Sequence, residues 1–174
     1  MPERVIRNGR VEPDLWTLVG VASPDELARP LPAGPVVVPL TFWNERRAQL
    51  AARREPVGVW LKPDDEPSEL ADDLASLPLV AVHFPKFTDG RGYSTAALLR
   101  TRYGYKGELR AFGDVGRDQL FLLKRCGFDS FSLPAHRDPE AALAGLEDFS
   151  QRYQGSVDDP APLFRKRLAT GASR

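Results

Sequence analysis

Three uninterrupted apolar runs, VVVPL (36–40), VGVWL (57–61) and LVAV (79–82), restrict the fold more than any other feature of the chain. Runs of four or five residues are the length of strands. Without polar alternation they belong in strands covered on both faces, the setting of a parallel sheet. Two more strands are expected at 109–112 and 130–133, and a helical segment follows each of the five. Parallel neighbours joined by right-handed crossovers give an α/β fold with a mainly parallel sheet of about five βα units. Such units build either an open three-layer sandwich or part of a (β/α) barrel, and periodicity does not separate the two. Pro39 lacks an N–H for the ladder, so the first run ends there or lies at an edge.

The helical segments carry their own boundaries. The first is expected over 41–54, with Thr41 or Asn44 as its cap, and the second after Pro67, where Leu70, Leu74 and Leu77 share one face. The third (94–103) stops at Gly104 and the fourth (118–126) at Gly127, two left-handed caps. Asp138-Pro139-Glu140 opens a fifth, with Leu143, Leu146 and Phe149 as its apolar stripe. Ahead of these units, Asn8-Gly9 sits between Val5-Ile6-Arg7 and Arg10-Val11, the dipeptide of a tight hairpin, so a small N-terminal β-ribbon is expected. Residues 1–35 read as a lead-in containing that hairpin, 1–154 as one α/β domain, and 155–174 as a loosely ordered C-terminal tail.

At 174 residues one domain can bury roughly 70% of the unfolded chain's surface, so no metal or disulfide staple is required. The 24 basic and 24 acidic residues cancel, which argues against nucleic acid or an anionic membrane as the main partner. A single cysteine, Cys126, excludes an intramolecular disulfide and a four-thiolate site within the chain. No apolar run is long enough for a bilayer, and the basic N-terminus leads into no signal-like segment. A cytoplasmic location is expected.

Two loops follow strand ends, where α/β proteins hold ligands. In the first, Asp89, Arg91, Gly92, Tyr93 and Ser94 combine glycines, a guanidinium fork and a helix start, an arrangement suited to a small oxyanion or to a partner protein. The same residues also suit a structural turn in which Asp89 bonds its own backbone. In the second, Asp114, Arg117 and Asp118 give either a polar ligand site or an internal ion-pair network. His83 lies on an apolar strand and reads as a core or strand-end histidine; with His136 the only other imidazole, no metal-ligand spacing is present. No P-loop, dinucleotide fingerprint or serine elbow occurs, so no cofactor is announced and catalysis is left open.

The stretch FPKFTDGRGYSTAALLRTRYGYKGELRAFGDVGRDQLFLLKRCGFDSF (84–131) resembles the core motif of a bacterial family of uncharacterised proteins, a domain of unknown function encoded beside assimilatory sulfite reductase. Its members carry the label of oxidoreductases of sulfite reduction, a label that derives from gene neighbourhood. The resemblance implies a role in reducing sulfite to sulfide for cysteine biosynthesis. One cysteine cannot hold the reductase's iron–sulfur cluster. The chain is therefore expected to be an accessory or partner protein of the reductase, with the two loops as its contact surface. Two alternatives stand beside this: an oxyanion-binding enzyme or sensor using Arg91, Ser94 and Arg117, and a degenerate α/β domain without an active site.

Overall fold

The computed structural model describes residues 3–149 and 153–165. Its strands are β1 (Arg4–Arg7), β2 (Arg10–Pro13), β3 (Thr17–Leu18), β4 (Val36–Pro39), β5 (Val57–Leu61), β6 (Leu79–Phe84), β7 (Glu108–Gly113) and β8 (Ser130–Ser132). They form one sheet in the order β2-β1-β8-β7-β6-β5-β4-β3. From β3 to β8 neighbours run parallel, whereas β1 joins β8 and β2 joins β1 antiparallel. The expectation of a mainly parallel sheet is thus corrected: the sheet is mixed, because the ribbon adds to its edge instead of standing apart. Asn8 and Gly9 take φ of 50° and 76°, the turn for which their sequence is suited.

Strand order follows chain order from β3 to β8 without reversal, so right-handed crossovers place every helical segment on the same face. The longer ones are α1 (Leu40–Ala51), α2 (Arg91–Thr101), α3 (Leu120–Arg125) and α4 (Pro139–Ala142). The buried residues agree. Val36, Val38, Val59, Val80, Val82, Leu109, Ala111 and Phe131 from the strands form one cluster with Phe42, Trp43, Leu99, Leu123 and Leu146 from the helical side. The opposite face holds a smaller cluster of Val37, Trp60, Leu79, Ala81 and Phe112, covered by Trp16 and Leu18.

That coverage fixes the shape. Pro13 ends one edge strand and Thr17 begins the other. Four residue steps reach at most about 14 Å, while eight flat strands would hold those edges about 33 Å apart. The sheet therefore curls into a half-barrel, with Asp14–Trp16 crossing its concave face. On the concave face, beside the smaller apolar cluster, lies a buried ion cluster. Arg110, fully buried on β7, donates to Asp14 at 2.7 Å, to Glu108 through Nε at 3.0 Å and Nη2 at 2.7 Å, and to Ser130 at 3.2 Å. Arg7 adds a second cation beside Glu108 and pairs with Glu12.

Several elements differ from expectation for local reasons. β4 ends at Pro39 but lies between β3 and β5, so the proline terminates a strand without marking an edge. The segment after Pro67 forms a 3₁₀ turn over Pro67–Leu70 followed by irregular turns, yet Leu70, Leu74 and Leu77 are all buried. Its apolar spacing was met without a continuous helix. β3 has only two residues, too few for a periodic signal. Within the C-terminal segment, the Val157 N–H and the Ser156 hydroxyl both donate to the Arg125 carbonyl at the end of α3. Residues 166–174 of the expected tail lie outside the described residues. No helix among the described residues is long and apolar enough to cross a membrane.

Removing Arg110 alone leaves the buried Asp14 carboxylate without its cation. Arg110→Leu is expected to lower unfolding free energy by about 3–5 kcal/mol, measured as a fall in urea midpoint.

Candidate functional site

The C-terminal strand ends collect both loops that the sequence singled out. Asp89 and Arg91 form a fork-to-fork pair: Arg91 Nε donates to Asp89 Oδ1 at 2.9 Å and Nη2 to Oδ2 at 2.7 Å. Arg91 N–H also donates to Asp89 Oδ1 at 3.2 Å, so the carboxylate bonds its own turn as well. The remaining Nη1 of Arg91 is held by Asp64, from the loop after β5. The guanidinium hydrogen-bonded to Asp89 lowers that carboxyl's pKa to about 2, and the two acids raise that of Arg91.

The other predicted residues sit as follows. Gly92 is buried, and a Cβ there would lie 2.6 Å from the Phe84 ring. Its smallness lets α2 pack on β6. Gly90, the residue before α2, has φ of −86°, so that turn does not use a left-handed glycine. Tyr93 is half-buried edge-on to Phe84, and burial pushes its hydroxyl pKa up. Ser94 is exposed on the first turn of α2.

In the second loop, Asp114 accepts from the Phe87 N–H at 2.9 Å, and Gln119 donates to the Phe87 carbonyl at 3.2 Å while accepting from the Gly116 N–H at 2.8 Å. The two loops are thereby tied together. Arg117 pairs with Asp148 at 2.7 Å, and Asp118 is exposed in the short 3₁₀ turn ahead of α3. Arg91 and Arg117 each already hold a carboxylate, so the loops form an ion-paired, cross-linked surface. Phe87 stands on it 46% exposed.

Beside this surface, sequence reasoning missed a row on the concave face. Strand register places His83 next to Phe112 and Phe112 next to Ser132. The His83 ring stacks on Phe112 at 4.8 Å and meets Trp60 edge-on at 5.9 Å, and the Lys62 ammonium lies 6.0 Å from the Trp60 ring centre. Burial lowers the pKa of His83 below its ordinary 6.5, which favours the neutral imidazole. The signal was present in the strand itself, since Leu79, Ala81 and His83 alternate with Val80, Val82 and Phe84. Asp64 and Arg137 were also missed, because their partners come from separate loops. Among the described residues no group of three or more His, Cys, Asp and Glu side chains is placed to share a metal ion.

The family model described as a bacterial protein of unknown function, DUF934, matches residues 58–164. That span covers β5 to β8 and both loops. No curated protein and no solved structure matches the chain at a significant level.

Asp89 is more acidic folded than unfolded, so its pairing contributes above its ordinary value of 3.8 and is lost as pH falls through about 2. Carboxyl NMR is expected to give a midpoint near 2 that returns toward 3.8 in Arg91→Ala. Gly92→Ala is expected to cost about 1–3 kcal/mol through overpacking against Phe84, read by thermal or urea unfolding.

Proposed function

We propose an accessory role in assimilatory sulfite reduction for this chain, which belongs to DUF934, a bacterial family of unknown function. The observation that carries this reading is the stretch from Phe84 to Phe131, whose sequence resembles proteins encoded beside the reductase and which lies wholly inside the family match. The chain acts as a partner or assembly factor for the enzyme that takes sulfite to sulfide. Its loops at Asp89–Ser94 and Asp114–Gln119 are the contact surface.

What supports a contact surface over a small-anion catalyst is the commitment of the arginines. Arg91 is shared by Asp89 and Asp64, and Arg117 is held by Asp148. An anion would have to displace a carboxylate already within bonding distance. A protein partner needs only the ordered polar surface and the exposed Phe87 ring; aromatic anchors are enriched where interfaces bury most of their energy.

A deletion strain is expected to grow on sulfide or cysteine and to fail on sulfate and on sulfite, with growth restored by the wild-type gene. A stoichiometric complex with the reductase, seen by size-exclusion chromatography, is expected to weaken about tenfold or more in Phe87→Ala, the loss of roughly 1.4 kcal/mol or more. Normal growth of the deletion strain on all four sulfur sources would overturn the reading.

A further inference from the structure

A cleft of about 370 Å³ lies between the lead-in segment at residues 29–31 and α1. Phe42 and Leu50, both buried, contribute its apolar floor, and Pro30 and Leu31 its wall. The polar lining is Arg29, Arg46, Gln49 and Arg53, with no carboxylate among it. The other clefts are mixed in charge. The one of about 590 Å³ beside Asn8 is bordered by Asp129, Glu147 and Asp158, and the one of about 420 Å³ beside Ser132 sets Glu3 with Arg4 and Arg137.

One of the three guanidinium groups is spent. Arg53 donates through Nε to Glu55 at 3.1 Å and through Nη2 to the carbonyls of Pro32 and Gly34, which ties the lead-in to the end of α1. Arg29 and Arg46 are not spent: among the described residues neither side chain makes a hydrogen bond or has a carboxylate within 4.0 Å. Arg46 is held in place all the same. Its guanidinium carbon stands 4.6 Å from the centre of the Phe42 ring, where α1 departs from helical backbone (φ −127°, ψ 22°). Stacking on an aromatic face orients the fork without using its N–H donors. The acids close by in the chain do not compensate these charges. Glu26 accepts from the Gly20 N–H at 2.8 Å, Glu55 is engaged by Arg53, and Glu45 does not line the cleft. Gln49, exposed and without a hydrogen-bond partner among the described residues, adds an amide donor.

Two uncompensated guanidinium groups in one cleft favour a guest with two negative charges, since a monocarboxylate leaves one cation unmatched. A phosphomonoester carries nearly two charges at neutral pH and three acceptor oxygens for the two forks to share. Inorganic phosphate or sulfate would leave the apolar floor and wall unused. We propose that this cleft binds a small organic phosphomonoester, its phosphate on Arg29 and Arg46 with Gln49 as a further donor, its carbon body against Pro30, Leu31 and Leu50. All the lining residues precede the span matched by the family, 58–164, and none belongs to the reductase contact surface. The test uses the purified chain alone, so either proposal can fail without the other.

Amide NMR titration of the labelled chain with phenyl phosphate, inorganic phosphate and benzoate, at neutral pH and low salt, tests it. Phenyl phosphate is expected to bind saturably at one site, shifting the amides of Arg29, Leu31, Arg46 and Gln49, about tenfold or more tighter than either of the other two. Arg29→Gln and Arg46→Gln are each expected to weaken it by about tenfold or more. Arg54→Gln removes the same charge beside Arg53 from a residue outside this cleft and is expected to leave affinity unchanged. If Arg46→Gln disturbs the bend in α1, Arg29→Gln alone is read, because Arg29 lies outside that helix. No saturable binding of phenyl phosphate, benzoate or inorganic phosphate binding as tightly, or an equal loss in Arg54→Gln, the mark of a diffuse basic surface, would each overturn the proposal.

Discussion

The Arg110–Asp14 pair is the contact on which the curled sheet depends. Arg110 comes from the middle of β7 and Asp14 from the short segment crossing between the two edge strands. Both side chains are almost wholly buried, at 0% and 2% exposure. Two charges removed from water repay their desolvation only with close geometry and further hydrogen bonds. Here Glu108 and Ser130 accept from the same guanidinium and the Trp16 N–H donates to Asp14. The ion cluster thus specifies where the crossing segment lies, while the apolar contacts of Trp16 and Leu18 supply area. Hydrophobic burial alone would not choose one position for that segment along the concave face.

The outer half of the fold was legible because each strand carries its own signal. β5 and β6 appear where the apolar runs place them, and Gly104 and Gly127 take φ of +64° and +109° after their helical segments. The curl was not legible. It arises from a two-residue strand and a three-residue crossing, and from the pairing of residue 6 with residue 131, none of which leaves a local pattern. The second helix was misread for a related reason. Leucines spaced by four and three residues need only reach the sheet, and turns placed them there as well as a helix would.

The candidate site divides along the same line. Asp89 and Arg91 are two residues apart, so their mutual pairing could be weighed from sequence. Asp64 and Asp148 reach the same surface from other segments, and their commitments decide which arginines have spare donors. Charge content therefore misjudges binding capacity: a guanidinium counts toward a ligand only after its intramolecular carboxylates are subtracted.

The pairing of β1 with β8 also has a temporal side. During synthesis the ribbon emerges first, but its partner strand comes near the end of the described fold, at residues 130–132. At 5–20 residues per second the wait is on the order of ten seconds. Through that interval Val5, Ile6 and Val11 have no sheet to cover them, and the edge of β1 that β8 will occupy is open to other chains. The nascent protein's period of greatest risk of wrong pairing is thus set by the distance along the chain between its first strand and its last.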